Sequence, residues 1–241
     1  MSVRGETARR STRHRFAKWV GRLAIAFIAL TLLPVVAFRW IPPPTTAVML
    51  EDRIGRILRG EPARPIRYRW TAWAGIAPAM RLAVVASEDQ KFPQHWGFDF
   101  EAISEAVDDA SASGRLRGAS TISQQVARNL FLWQGRSWIR KGLEAYFTVL
   151  LEACWSKRRI LEVYLNIAEF GDGLYGVGAA SQVDFGKRPG DLLPREAALL
   201  AAVLPNPHVL HARRPSEYVQ RRADWIERQM TQLGAGYLQG L

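Results

Sequence analysis

The sequence predicts a mainly α domain behind an N-terminal membrane anchor. Three observations carry this expectation. From Ala77 to Leu233 the apolar residues recur at helical rather than strand spacing. Helix starts and stops punctuate that stretch: Pro78, Ser216 and the stop Pro205-Asn206-Pro207. Before it, Leu23–Phe38 carries no charge and follows a strongly basic segment.

The anchor comes first. Residues 1–18 form a basic tail, and residues 1–22 hold Arg4, Arg9, Arg10, Arg13, Arg15, Lys18 and Arg22 against Glu6 alone. The uncharged run alone spans roughly 24 Å as a helix, slightly less than a ~30 Å hydrocarbon core. Flanking Trp19, Val20, Trp40 and Ile41 extend it to residues 19–41. Arg39-Trp40-Ile41-Pro-Pro-Pro follows the run where a cleavable leader would carry small residues, so an uncleaved single-pass helix is expected. The preceding cations place the N-terminus in the cytoplasm and the rest outside the cytoplasmic (inner) membrane.

Residues 42–64 read as a linker, opened by the stiff Pro42-Pro43-Pro44. The main domain is expected over 65–233, with 234–241 as a tail. Residues 64–73 alternate imperfectly and suit a short strand. Helices are expected at 78–89, 99–110, 121–132, 138–156, 158–168, 195–204 and 216–233. Residues 111–119 form a loop, and Gly171, Gly173, Gly176 and Gly178 mark a flexible one.

Charge narrows the partner. A net charge of +11 favours nucleic acid, anionic lipid or a phosphorylated substrate. An exported domain excludes nucleic acid, leaving the membrane and an anionic lipid-linked substrate. The single cysteine, Cys154, excludes an internal disulfide framework and reads as a buried filler.

The chemistry concentrates in three places. Glu88 and Asp89 end the apolar run Leu82–Ala86, and a carboxylate there needs partners or a proton. That makes Glu88 a candidate general base. Next, Gly118-Ala-Ser120-Thr121 precedes a helix whose start is marked by the capping-box pair Thr121 and Gln124. Such a start is an anion site, and Gln125, Arg128 and Asn129 share one face beyond it. Third, Arg136, Arg140 and Lys141 lead into Glu144. Glu144 is either an ion-pair partner one turn from two cations, or a second carboxylate facing Glu88 across a cleft. Tyr164 and Asn166 either hold the 171–178 loop or line the site. His95 organises the turn after Asp89, and His208 and His211 are not assigned to a metal.

These blocks, in this order, resemble the peptidoglycan glycosyltransferases of glycosyltransferase family 51, the monofunctional type in particular. The matching segments are ASEDQKFPQHWGFD (86–99), GASTISQQVARNLFLW (118–133), RSWIRKGLEA (136–145), SKRRILEVYLNIAEFGDGLYGVGAA (156–180) and REAALLAAVLPNP (195–207). The resemblance implies a lysozyme-like, two-lobed fold: a large α lobe and a small membrane-proximal jaw lobe. It implies polymerisation of lipid II, with inversion, into β-1,4-linked glycan strands. Glu88 would be the base, and Glu144 would help stabilise the departing pyrophosphate. Ser120, Thr121, Gln125, Arg128, Asn129, Arg136, Arg140 and Lys141 would bind substrate. Asp89, Phe92 and His95 would support the site. No cofactor is required, although a divalent cation (Mg or Mn) at the pyrophosphate fits the chemistry. Expected partners are lipid II, the growing glycan chain, the membrane, and cell-wall synthesis or division proteins.

Two positions depart from the family pattern: Arg128 stands where Lys is usual, and Asp184 lies in an atypical Gln182-Val-Asp-Phe185. No S-x-x-K or K-T-G occurs, so no transpeptidase activity is expected. A glycan-cleaving lysozyme-like enzyme would not need the cation-rich motifs. A non-catalytic scaffold would not need both glutamates.

Overall fold

A computed structural model describes residues 3–61, 65–105, 120–135 and 137–241. The loop expected at 111–119, most of the helix expected at 99–110 and Arg136 therefore lie wholly or partly outside the described residues; residues 100–105 are helical. The chain divides into two units, Met1–Ile41 and Pro42–Leu241.

The first unit is one helix, α1 (Val3–Phe38), which contains Pro34. Its segment Lys18–Phe38 is long and apolar enough to cross a membrane. The helix also includes the basic segment that the sequence suggested as a tail.

The second unit begins with a correction. Residues 42–64 are not simply a linker, because α2 (Ala47–Leu58) forms within them. Thr46 caps it by accepting from Met49 N, and Val48 and Met49 are buried. These two pack with Tyr175, Ile66 and Tyr68 in a small satellite core. Beside it, β1 (Arg67–Tyr68) pairs parallel with β3 (Leu174–Tyr175), which pairs antiparallel with β2 (Glu169–Gly171).

The main core is helical, as expected. It comprises α3 (Pro78–Glu88), α4 (Ile122–Phe131), α5 (Trp138–Cys154), α6 (Lys157–Ile167), α7 (Val177–Phe185), α8 (Pro194–Val203) and α9 (Glu217–Leu233). The Ala/Leu-rich α8 is buried from Ala197 to Val203, and α3 and α9 pack on it. On the other side α4 lies against α5 and α6. Its Ile122 and Val126 are fully buried, as is Leu151 of α5. Each such side chain contributes about 1.5–3 kcal/mol. Cys154 is only half-buried, at the outer end of α5.

The glycine-rich segment is ordered by close packing, contrary to the flexible loop expected. Gly173 turns the β2–β3 hairpin, and α7 starts directly after Gly176. A Cβ on Gly178 would lie 2.3 Å from the Arg69 carbonyl oxygen, so only glycine lets these backbones meet. Asn166 holds the same strip. Its Oδ1 accepts from Thr71 N (2.7 Å), and its Nδ2 donates to Thr71 O and Glu162 O. Asn166 is thus a buried organiser rather than a cleft residue.

Candidate active site

Glu88 is the last residue of α3, and Asp89 is the cap that ends it. The two neighbouring carboxylates meet opposite helix ends. Asp89 Oδ2 accepts from Ile122 N (2.9 Å) at the N-terminus of α4, where the helix dipole favours an anion. Glu88 sits at the C-terminus of α3, where the dipole opposes one. Its position must be sustained by other groups.

Those groups are Gln125 and Tyr164. Gln125 Nε2 donates to Glu88 Oε2 (2.9 Å), and Tyr164 Oη donates to Gln125 Oε1 (3.1 Å). Burial, reinforced by the nearby Glu88 charge, pushes the Tyr164 phenol well above its ordinary value. The phenol therefore stays protonated and must donate, which fixes the Gln125 amide with its NH₂ toward Glu88. The other carboxylate oxygen, Oε1, is loosely held. Ser87 Oγ lies 3.3 Å away and Arg222 Nη2 4.0 Å away.

Two groups among the described residues bind Asp89. Besides Ile122 N, His95 Nε2 lies 2.9 and 3.0 Å from its two oxygens. Gly97 N donates to His95 Nδ1 (3.1 Å), so in the neutral ring the proton is on Nε2, pointing at Asp89. Gly97 has φ +78°, and a Cβ there would meet Thr148 Cγ2 at 2.6 Å. Phe92 is fully buried against the His95 ring edge, with the Lys157 ammonium 4.6 Å from its centroid. Asp89, Phe92 and His95 thus form one brace beneath Glu88.

Two sequence expectations change here. The start of α4 does bind an anion, but that anion is Asp89 rather than a phosphate. Thr121 is likewise internal: its hydroxyl donates to Gly97 O (2.7 Å) and accepts from Gln124 N, and the reciprocal Gln124 bond completes a capping box. It is 3% exposed, with its hydroxyl turned into the fold. Ser120, next to it, is half-buried.

Gln125, Arg128 and Asn129 line a cleft of about 470 Å³ together with Tyr164. Arg128 Nε donates to Asn129 Oδ1 (3.3 Å). The lining also includes Val48 and Gly55 of α2 and Arg59 just beyond its end, so the segment read as a linker supplies a wall.

Glu144 realises the ion-pair alternative. It is 1% exposed, with Arg140 Nη1 donating to Oε2 (2.7 Å) and Lys141 Nζ to Oε1 (2.5 Å). Among the described residues it makes no hydrogen bond or ion pair with the Glu88 network. Both of its oxygens are thus already paired with cations. Among the described residues, Glu169, Asp172 and His208 offer a possible donor set, each with an atom within 4.8 Å of the others. His208, however, turns Nε2 to Glu169 (3.4 Å) and Nδ1 to Asp172 (3.7 Å), and Arg56 pairs with Asp172. These contacts describe an ion-pair cluster, not convergent ligands.

The departure at Asp184 lies away from Glu88. Burial raises its carboxyl above the ordinary range, opposed by Arg213 and His211, and it lines a second cavity with His211. Sequence reasoning missed Ser87 and Arg222. The available signal for Arg222 was a cation three residues after Val219 and four before Ile226, on the apolar side of the last helix.

Comparison with known proteins adds the following. A family model described as Transglycosylase matches residues 55–231. A biosynthetic peptidoglycan transglycosylase of Xanthomonas campestris pv. campestris (strain B100) is 53% identical over 226 residues, covering 93% of this chain and 92% of its own. Proteins of the same description from Pseudomonas putida (strain F1 among its designations) and Mannheimia succiniciproducens are 52% and 51% identical. They cover 89% and 94% of this chain and 91% and 93% of their own lengths.

Proposed function

This chain belongs to the transglycosylase family, and from that premise we propose how its residues carry the reaction. It is a glycosyltransferase of peptidoglycan biosynthesis, with a mainly helical, lysozyme-like domain and an apolar N-terminal helix consistent with a membrane anchor. The substrate in this proposal is lipid II together with the growing lipid-linked glycan. The N-terminus lies in the cytoplasm and the second unit acts at the outer face of the inner membrane.

The observation that carries the mechanism is the unequal treatment of the Glu88 oxygens. Oε2 is locked through Gln125 to Tyr164, while Oε1 has no close amide or ammonium donor among the described residues. Oε1 takes the proton from the acceptor GlcNAc 4-OH as that oxygen attacks C1 of the donor sugar. The bond from C1 to the diphosphate oxygen breaks, and undecaprenyl diphosphate departs with the electron pair. Attack from the opposite face inverts C1 and gives a β-1,4 linkage. The leaving group is already a stable anion, so it needs cations more than an acid. Arg128, which lines the cleft, and the Arg140–Lys141 pair ordered by Glu144 supply that charge. The scheme routes no step through a divalent ion; Arg140 and Lys141, paired to the two oxygens of Glu144, supply the positive charge.

The test is polymerisation of lipid II by the purified full chain in detergent. The unaltered protein should convert lipid II to glycan polymer, and Glu88→Gln should not while melting at the parent temperature. Near-normal turnover by Glu88→Gln would overturn the base assignment.

A further inference from the structure

Resting on the polymerase reading, we infer that Arg222 is a positioning residue for Glu88: the C-terminal helix supplies the cation that orients the free carboxylate oxygen of the base. Arg222 lies 134 positions from Glu88 in sequence, in α9. Its Nη2 donates to Ser87 Oγ (3.3 Å) and stands 4.0 Å from Glu88 Oε1. No amide or ammonium competes for that oxygen among the described residues.

The way Arg222 is held separates it from the structural arginines around it. Arg221, its neighbour, pairs with Glu217 along the exposed face of α9. Arg195 is closed by Asp224 (2.5 Å) and Glu227 (2.8 Å). Among the described residues Arg222 has only a long bond to a hydroxyl and a loose ion pair, and its Nε is buried without a hydrogen-bond partner. The side chain is 25% exposed, so water can reach its outer nitrogens, but leaving Nε buried and unpaired works against folding. It is understandable if the guanidinium serves the carboxylate beside it. A cation there offsets the unfavourable end of the α3 dipole and draws Oε1 away from the Gln125 side. The acceptor hydroxyl then meets an ionised, oriented oxygen.

The fold does not depend on this contact. The Glu88 segment is tied to the C-terminal region at two other points. Gln90 Nε2 donates to Gln229 Oε1 (3.1 Å), and Tyr237 Oη donates to Gln90 O (2.6 Å). Substituting Arg222 leaves these two ties in place and removes its contacts with Glu88 Oε1 and Ser87 Oγ.

The experiment is steady-state lipid II polymerisation by the full chain in detergent, comparing Arg222→Lys with Arg222→Met. Met keeps an unbranched stem without charge. Arg222→Met should lower kcat roughly 10- to 100-fold, the scale of misplacing a catalytic group by about an ångström. KM should stay within about twofold, since a group acting through the base removes no ground-state binding. Arg222→Lys should recover most of the loss. The inference is overturned if Arg222→Met turns over like the parent, if Arg222→Lys is as impaired as Arg222→Met, or if KM rises with kcat unchanged. Thermal midpoints are measured alongside; should Arg222→Met not fold, Arg222→Gln reads the same contrast with Lys. Failure of the unaltered protein to polymerise would instead remove the polymerase reading itself.

Discussion

Glu144 has a cation on each carboxylate oxygen, whereas Glu88 has a neutral amide on one and, on the other, only a hydroxyl at 3.3 Å and a guanidinium at 4.0 Å. Both side chains are withdrawn from solvent, at 2% and 14% exposure. The difference separates two uses of a buried acid. A carboxylate flanked by two cations is held in its ionised form and is a poor proton acceptor; it orders positive charge for something else. A carboxylate tethered by a neutral donor keeps one oxygen available. The same substitution at both sites should therefore give opposite outcomes. Glu88→Gln should lower lipid II turnover by at least about 10²-fold, the usual contribution of general acid–base catalysis, with no change in melting temperature.

Glu144→Gln should act on stability first. It strands Arg140, whose side chain is 11% exposed, beside Lys141 without their shared anion. Breaking a buried pair costs about 3–5 kcal/mol, and the half-exposed Lys141 places this site at the lower end of that range. Thermal unfolding followed by circular dichroism measures it. An unchanged melting temperature would erase the distinction between the two glutamates.

How much of this was legible in the sequence depended on how local the signal was. The helix at 122–131 was marked by its capping box, and Gln125, Arg128 and Asn129 were placed on one face by i+3 and i+4 spacing alone. Glu88 stood out because a carboxylate at the end of an apolar helix needs an explanation. By contrast, residues 42–64 were read as a linker from the opening Pro42-Pro43-Pro44, and the α2 that forms within them buries only Val48 and Met49 at its N-terminal end. The helix α7 was hidden because Gly178, Ala179, Ala180 and Ser181 are all buried, leaving no amphipathic period. The internal roles of Asp89 and Thr121, and the approach of Arg222, depend on contacts between segments distant in sequence. No spacing rule reports those.

A smaller effect tests the neutral tether. Tyr164→Phe removes the proton that orients the Gln125 amide. One hydrogen bond is lost, about 1 kcal/mol in thermal or urea unfolding. Gln125 can then rotate its oxygen toward Glu88, so turnover should fall, though by less than in Glu88→Gln. A kcat equal to the parent's would show that the amide is oriented without the phenol.

Asp184 supplies the smallest effect and checks the rule on a carboxylate that has neither arrangement. Burial is the main influence on it and raises its folded-state value above the ordinary 3.8, while Arg213 and His211 pull the other way. A carboxyl with a raised folded value is at its most favourable in the folded state below the unfolded value. That advantage disappears as pH rises through the folded value, because the ionised form is then buried at a cost. Asp184→Asn removes the ionisation, and it also removes a negative charge from the C-terminal end of α7. At neutral pH it should therefore raise the melting temperature slightly, a stabilisation of no more than about 0.5 kcal/mol for a group only partly buried. Below pH 3.8 both proteins carry an uncharged side chain and should melt alike. A loss of stability at neutral pH would mean that Arg213 and His211 hold Asp184 as firmly as Arg140 and Lys141 hold Glu144.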